Sequence, residues 1–374
     1  MKNIILIIGI TILKFIANII YCLYKLLPIR NQIVMITRQS NDSTLDFQLL
    51  ENYIKQKDKD IKIVILSKKL EKGVYNKIKY TLYILKIMYY LSTSKLCVID
   101  SYCIPVSILK HKKRLKVVQI WHASGAVKKF GYQILDKKEG SNSLIAKLMC
   151  MHKNYDYVIA PSEITENVFS EAFDVPKDKI ARFGLPRLEY IVNPVYDKSN
   201  EIYKQYPYLK DKKNILYIPT FRKNKETNLK ELLNYNLDEK KYNLIIKLHP
   251  LDKTIVPDKY LVDEKIKSFD LIKIADYIIT DYSVLSIEAS ILNKPIFFYL
   301  YDEEEYEKNR GLNINVKKEL KSFTSKRFSD IMTKIEKEDY NMKQLNEYKS
   351  KYIEVNLLTA IKNLGEFLLK LYKE

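Results

Sequence analysis

Several residue types are scarce in this 374-residue chain, and each scarcity removes a class of function. Tryptophan occurs once, at Trp121, and histidine only four times. The four cysteines, Cys22, Cys97, Cys103 and Cys150, form no C-x-x-C pair and lie in no cluster with histidine, which argues against a zinc site. So few cysteines in so long a chain also argue against a secreted disulfide framework, and favour a reducing, cytoplasmic compartment. Only eight glycines are present, and none belongs to a Walker-type phosphate loop, so ATPase-like chemistry is disfavoured. No acidic residue precedes Asp42, whereas Lys2, Lys14, Lys25, Arg30 and Arg38 are all basic.

What is abundant points to anionic partners. The net charge is +19 and the pI about 9.3, which suits phosphate-rich substrates, acidic lipids or nucleic acid without choosing among them. Part of the Lys, Ile and Tyr richness is compositional bias, and the charge is discounted accordingly. With 47% hydrophobic residues the chain can bury substantial cores, and its length predicts two domains of roughly 100–200 residues each.

Residues 1–28 are expected to form an N-terminal membrane-anchoring helix. Lys14 interrupts the apolar run needed for a spanning helix, and the small-residue cleavage site of a signal peptide is missing. Thr11, Lys14, Asn18, Tyr21 and Lys25 recur at steps of three and four, a single polar stripe on an otherwise Ile-, Leu- and Phe-rich surface. That pattern favours an interfacial helix on an anionic leaflet. Tyr75 to Ser92 is a second amphipathic stretch, and His111-Lys112-Lys113-Arg114 reads as a solvated loop.

Short β-branched runs then alternate with helical patterns. Residues 61–67, 96–101, 116–122 and 157–162 read as buried parallel strands, as do 214–219, 243–248, 277–280 and 295–300. The alternation predicts an α/β chain with two Rossmann-like domains, 29–195 and 210–340, and a helical segment 341–374. Open parallel sheets bind ligands at the carboxyl ends of their strands, and unusual polar residues follow four of these runs.

At the end of the third run come Trp121-His122-Ala123-Ser124-Gly125, a histidine suited to general-base work followed by small residues that let a phosphate approach the backbone. After the fifth come Pro219-Thr220-Phe221-Arg222, a hydroxyl and a guanidinium suited to phosphate. At the end of the sixth stand Lys247, within the run, and His249, just past it, a cation and a second histidine that can stabilise a leaving diphosphate. After the seventh, Ser283 and Val284 open a helix on which Glu288 lies about a turn further on, at ribose-hydroxyl reach. Arg187 follows the rigid turn Gly184-Leu185-Pro186. For each residue the plain alternative stands: a structural histidine, a surface ion pair, a simple helix cap.

Taken in order, IWHASGAVKKFGY, APSE, FGLPR, YIPTFR, KLHP and IADYIITDYSVLSIEASILNKPIFFYLYDEEEY resemble the CDP-glycerol glycerophosphotransferase family of teichoic-acid synthesis, across about Ile33 to Asn315. The resemblance implies a GT-B fold, in which two Rossmann-like domains face a cleft. It implies transfer of glycerol phosphate or a related polyol phosphate from a CDP-polyol to a lipid-linked acceptor, with release of CMP, at the cytoplasmic face of the plasma membrane. His122 would be the base for the acceptor hydroxyl and His249 would stabilise the diphosphate. Trp121, Ala123, Ser124, Gly125, Arg187, Pro219, Thr220, Arg222, Lys247, Ser283, Val284 and Glu288 would form the donor site. No metal or other cofactor is needed in this scheme, because histidine and cations neutralise the phosphates.

Ala123, Val284, Glu288 and Lys247 stand where family members often have glycine, serine, aspartate and arginine, which leaves the polyol open between glycerol and ribitol. Without a large extra N-terminal domain the chain resembles primases and short transferases more than long polymerases. The expected partners are the donor, the lipid-linked acceptor and an anionic membrane, with no nucleic acid; a homo-oligomer is compatible with this. A GT-B glycosyltransferase using a nucleotide-sugar is the competing enzyme reading, and a basic binding protein without catalysis the non-enzymatic one.

Overall fold

The structure, a computed structural model, describes residues 2–69, 73–222 and 226–374. Strands β1 (Gln32–Thr37), β2 (Lys62–Ser67), β3 (Leu96–Ile99), β4 (Lys116–Gln119), β5 (Tyr157–Ala160) and β6 (Ile180–Arg182) form one sheet in the order β2-β1-β3-β4-β5-β6. A second sheet holds β7 (Lys213–Tyr217), β8 (Tyr242–Ile246), β9 (Tyr277–Thr280), β10 (Ile296–Tyr299) and β11 (Thr324–Ser325), in the order β11-β10-β9-β7-β8. Every pairing is parallel. Both sheets are therefore of the expected Rossmann-like type, and all eight expected strand segments are present. Three further strands were not anticipated. The most telling is β1, whose six residues are all buried. It follows the apolar N-terminal run so closely that composition alone does not set it apart.

The packing divides the chain into two units. The first comprises 1–124, 130–189 and 355–374; the second comprises 125–129 and 190–354. The domain ends drawn from sequence fall elsewhere, because two segments pack away from their chain neighbours. Residues 125–129 join the second unit through an antiparallel bridge between Lys128 and Leu312 and a bond from the Asn313 N–H to the Val127 carbonyl at 2.8 Å. The expected 341–374 segment is shared: the helix Ala360–Lys373 returns to the first unit and packs on α2 (Leu45–Lys57). Its Leu364 and Leu368 enter a core built by Ile33 and Met35 of β1 and Phe47 and Leu50 of α2. Gly365 is required there, since a Cβ would come within 2.3 Å of the Tyr53 ring.

The N-terminal helix α1 (Lys2–Tyr24) turns Lys14, Asn18 and Tyr21 of its polar stripe toward the protein, while Thr11 stays exposed. Lys14 Nζ donates to the Leu148 carbonyl at 2.8 Å, and Asn18 Nδ2 to the Ile108 carbonyl at 3.2 Å. Tyr21 is fully buried, with its hydroxyl 3.0 Å from His111 Nδ1. The His111 Nε2 lies 2.7 Å from the Val106 carbonyl, so Nε2 carries the proton and Nδ1 accepts from Tyr21. Burial lowers the pKa of His111, which favours this neutral form. Lys112 Nζ donates to the Leu27 carbonyl at 2.6 Å. The stretch expected as a solvated loop thus fastens the end of α1. Ile5, Ile8, Ile12, Phe15, Ile16 and Ile19 are left exposed on the opposite side. Composition and length would allow α1 to cross a membrane, but its polar contacts hold it along the first unit.

Candidate active site

In the first unit the site is built at the ends of β3 and β4. Trp121 follows β4 with φ at +58°, a left-handed conformation that costs a bulky residue about 1–2 kcal/mol. A buried network holds it there. The Trp121 N–H donates to Gln119 Oε1 at 2.8 Å, while Gln119 Nε2 donates to the Ser101 carbonyl and to the Tyr155 hydroxyl, each at 3.3 Å. The Tyr155 hydroxyl lies 2.9 Å from Nδ1 of buried His152, whose pKa is lowered to about 3, first by burial and then by Lys153. The indole stacks on Phe130 at 4.9 Å and meets Phe173 edge-on at 5.1 Å. Trp121 is therefore partly enclosed in an aromatic cluster, and its strained backbone turns the next residue, His122, off the strand.

His122 is half-buried, with Nδ1 3.0 Å from the Asp100 carbonyl. A carbonyl oxygen can only accept, so Nδ1 carries the proton and Nε2 is the basic nitrogen. The Gln39 amide, 3.3 Å from Nδ1, then faces it through its oxygen, since the two amide ends are assigned by their partners. The loop is clamped by Arg187, whose Nη1 donates to the His122 carbonyl at 2.7 Å. Arg187 is fixed in turn by Asp46: its backbone N–H and Nε donate to the two carboxylate oxygens at 2.8 Å each, and Nη2 also meets the carboxylate. This pair is nearly buried, with Asp46 side-chain exposure at 2%. Asp100, at the end of β3, has its carboxyl pushed up to about 6 by burial, against the pull of Thr37, Ser101 and Arg187. Ala123 and Ser124 are buried beside His122.

In the second unit the site lies at the ends of β7, β8, β9 and β10. Asp281, buried after β9, accepts the Thr220 N–H at 2.8 Å and Arg222 Nη1 at 2.7 Å. Arg222 also donates from Nε and Nη2 to Asp302 at 2.7 and 3.0 Å, and from Nη1 to the Thr220 carbonyl at 2.7 Å. Burial opposes its charge, but Asp281 and Asp302 outweigh that effect and raise its pKa, so the guanidinium stays charged. Arg222 is thus enclosed by its own loops and ties the ends of three strands together. The Thr220 hydroxyl is buried and has no hydrogen-bond partner among the described residues, and Pro219 is buried before it.

His249 is exposed and stacks on Phe221 at 5.1 Å. Its Nδ1 accepts the Leu251 N–H at 3.1 Å, so in the neutral ring Nε2 carries the proton. Lys247 Nζ donates to the Glu264 carbonyl at 3.0 Å, and burial lowers its pKa against the pull of Glu264 and Asp263. Ser283 Oγ accepts the Leu285 N–H at 3.3 Å just before the short helix Leu285–Ser290, whose N-cap is Val284. Glu288 on that helix is 2% exposed. Gly125 lies in the 125–129 segment that packs with the second unit. Among the described residues, no group of three or more His, Cys, Asp or Glu side chains is arranged to hold a metal ion.

The structure thus gathers His122 and Arg187 with Trp121, Ala123 and Ser124 in one unit. In the other it gathers Pro219, Thr220, Arg222, Lys247, His249 and Ser283. Sequence reasoning missed the carboxylates that organise both groups. Asp281, Asp100 and Asp302 were within reach, since each lies at the end of an expected strand; Asp46 carries no local signal.

Known proteins resemble this chain in sequence and in fold. The model of the family described as CDP-Glycerol:Poly(glycerophosphate) glycerophosphotransferase matches residues 19–367. The teichoic acid ribitol-phosphate primase of Bacillus spizizenii is 34% identical over 303 residues, covering 77% of this chain and 78% of its own. The teichoic acid glycerol-phosphate primase of Bacillus subtilis is 33% identical over 244 residues, covering 63% of each chain. The solved structure of the wall teichoic acid polymerase TagF superposes with a TM-score of 0.73 at 19% identity, covering 100% of this chain and 97% of that one, which shows a shared fold. The chain is a transferase and belongs to the CDP-glycerol:poly(glycerophosphate) glycerophosphotransferase family.

Proposed function

We propose that this protein transfers a polyol phosphate from a CDP-polyol to a hydroxyl of a lipid-linked acceptor in teichoic-acid synthesis. The acceptor oxygen attacks the phosphorus that carries the polyol. The bond from that phosphorus to the bridging oxygen breaks, and CMP leaves with the electron pair. The acceptor proton passes to Nε2 of His122. Nε2–H of His249 donates to the donor diphosphate as charge builds on the leaving oxygen. Thr220 and Ser283 supply hydroxyls at the donor strand ends, and Lys247 supplies positive charge. Arg187 and Arg222 act by holding their loops.

The observation that carries this reading is the opposite backbone partners of the two rings, a carbonyl at Nδ1 of His122 and an N–H at Nδ1 of His249, which assign a basic Nε2 to the first and a donating Nε2 to the second. The chain's similarity to teichoic acid ribitol-phosphate and glycerol-phosphate primases supports it, as does a TagF structure soaked with CDPG. The test is nucleotide release by the purified protein with CDP-glycerol, CDP-ribitol or UDP-glucose, each with a lipid-linked disaccharide. CMP release from one CDP-polyol alone is expected and names the polyol. UDP release alone would make the protein a nucleotide-sugar glycosyltransferase.

The exposed apolar side of α1 supports a position lying on the bilayer, and a basic N-terminal segment with no acidic residue before Asp42 suits the anionic cytoplasmic leaflet. Ile12→Asp with Phe15→Asp is expected to release the protein from anionic vesicles. Unchanged co-sedimentation would place the attachment elsewhere.

A further inference from the structure

The first unit carries a pocket of about 290 Å³ at the carboxyl ends of β1 and β2, lined by Asn41, Ser67, Lys68, Lys69, Asn76 and Lys79. Three lysines, two asparagines and a serine line it, with no carboxylate among the described lining residues; the Lys68 ammonium lies over the Tyr83 ring, 5.1 Å from its centroid. The Ser67 hydroxyl is buried and has no hydrogen-bond partner among the described residues. Asn41 Oδ1 accepts the Lys69 N–H at 2.9 Å, which joins the loops after β1 and β2 into one wall. A cluster of three lysines that meets no carboxylate among the described lining residues favours an anion with several acceptor oxygens.

Two placements narrow the choice of anion. Asn41 shares the loop after β1 with Gln39, which touches His122. Lys79 lies on α3 (Val74–Thr93), the helix that packs against α1. Tyr75, Lys79 and Leu82 fall at i, i+4 and i+7 on one face of α3, and Tyr75 and Leu82 are 76% and 64% exposed. A cation is thus set between exposed apolar side chains, beside a helix whose own apolar side is outward. This arrangement suits a phosphate carried on a hydrocarbon chain better than a water-borne one.

We propose that this pocket binds the diphosphate head of the lipid-linked acceptor, fixing the acceptor in the unit that carries the base. The inference rests on the transfer reading above. The test compares wild type with the triple variant Lys68→Ala, Lys69→Ala, Lys79→Ala. Each is titrated with phosphatidylcholine vesicles carrying a long-chain alkyl diphosphate, with phosphatidylglycerol vesicles, and with inorganic pyrophosphate.

The variant is expected to lose at least about tenfold more affinity for the alkyl-diphosphate vesicles than for the phosphatidylglycerol vesicles. Pyrophosphate should compete with the lipid on wild type and bind the variant at least about tenfold more weakly. KM for the lipid-linked acceptor should rise while KM for the donor stays unchanged. Equal losses on both vesicle types would reduce the pocket to general attraction to anionic surfaces and overturn the proposal, as would pyrophosphate binding that the substitutions leave intact. The vesicle titration needs no donor. A wild type that releases no CMP would sink the transfer reading, while the pocket would still stand or fall on binding.

Discussion

His122 stands three residues past the end of β4, and His249 three residues past the end of β8, each on a loop leaving a parallel sheet. Their surroundings differ in almost every other respect. His122 is half-buried, preceded by a strained tryptophan and clamped through its carbonyl by Arg187. His249 is exposed and rests on one phenylalanine. The first ring meets a backbone carbonyl at Nδ1, the second a backbone N–H. In the proposed reaction the same side chain at the same offset is therefore a base in one unit and a donor in the other. The backbone partner assigns the role, and residue type alone does not.

The largest effect is expected where that assignment is removed outright. His122→Ala should lower turnover by about 10³-fold or more, within the range for loss of a general base, and leave the melting curve intact. Near-normal turnover would remove the base assignment. His249→Ala should cost about 10²–10³-fold in kcat, as loss of a transition-state donor does.

Glutamine sharpens the contrast, since its amide donates but cannot take a proton at neutral pH. His249→Gln should recover a measurable part of the lost rate, whereas His122→Gln should match His122→Ala. Equal behaviour of the two glutamine variants would break the comparison. Arg187→Lys removes the fork that joins Asp46 to the His122 carbonyl. It should lower kcat by about 10-fold, with little change in donor KM.

The smallest effect concerns only the support of the first loop. Buried His152 has a folded pKa of about 3, below its unfolded value of roughly 6.5. Its contribution is therefore present above pH 6.5 and lost as pH falls toward 3, because the unfolded chain takes up a proton that the folded one refuses. Between pH 7 and pH 5 the loss should be about 2 kcal/mol, read from urea midpoints. His152→Asn, which tolerates the positive φ at this position, should flatten that dependence. A slope unchanged by the substitution would mean that another group titrates.

Much of this was legible in the sequence because it is local. β-branched runs name the strands, and histidines just past them name the strand ends. What was not legible is long-range. Asp46 and Arg187 are separated by 141 positions, and only folding shows that they form one clamp. Arg222 read as a phosphate ligand because its local setting, a cation after a strand, is that of one. Asp281 and Asp302 arrive from other strands and enclose it. The stripe on α1 was visible, but the side on which its partners lie was not, and those partners turn its apolar side outward.

The most direct test of the account is the protonation of the four histidine rings, read by nitrogen-15 NMR of the histidine-labelled protein near pH 8, with signals assigned by single His→Ala variants. The account predicts that His122 carries its proton on Nδ1 and His249 on Nε2. The same tautomer at both positions would contradict it.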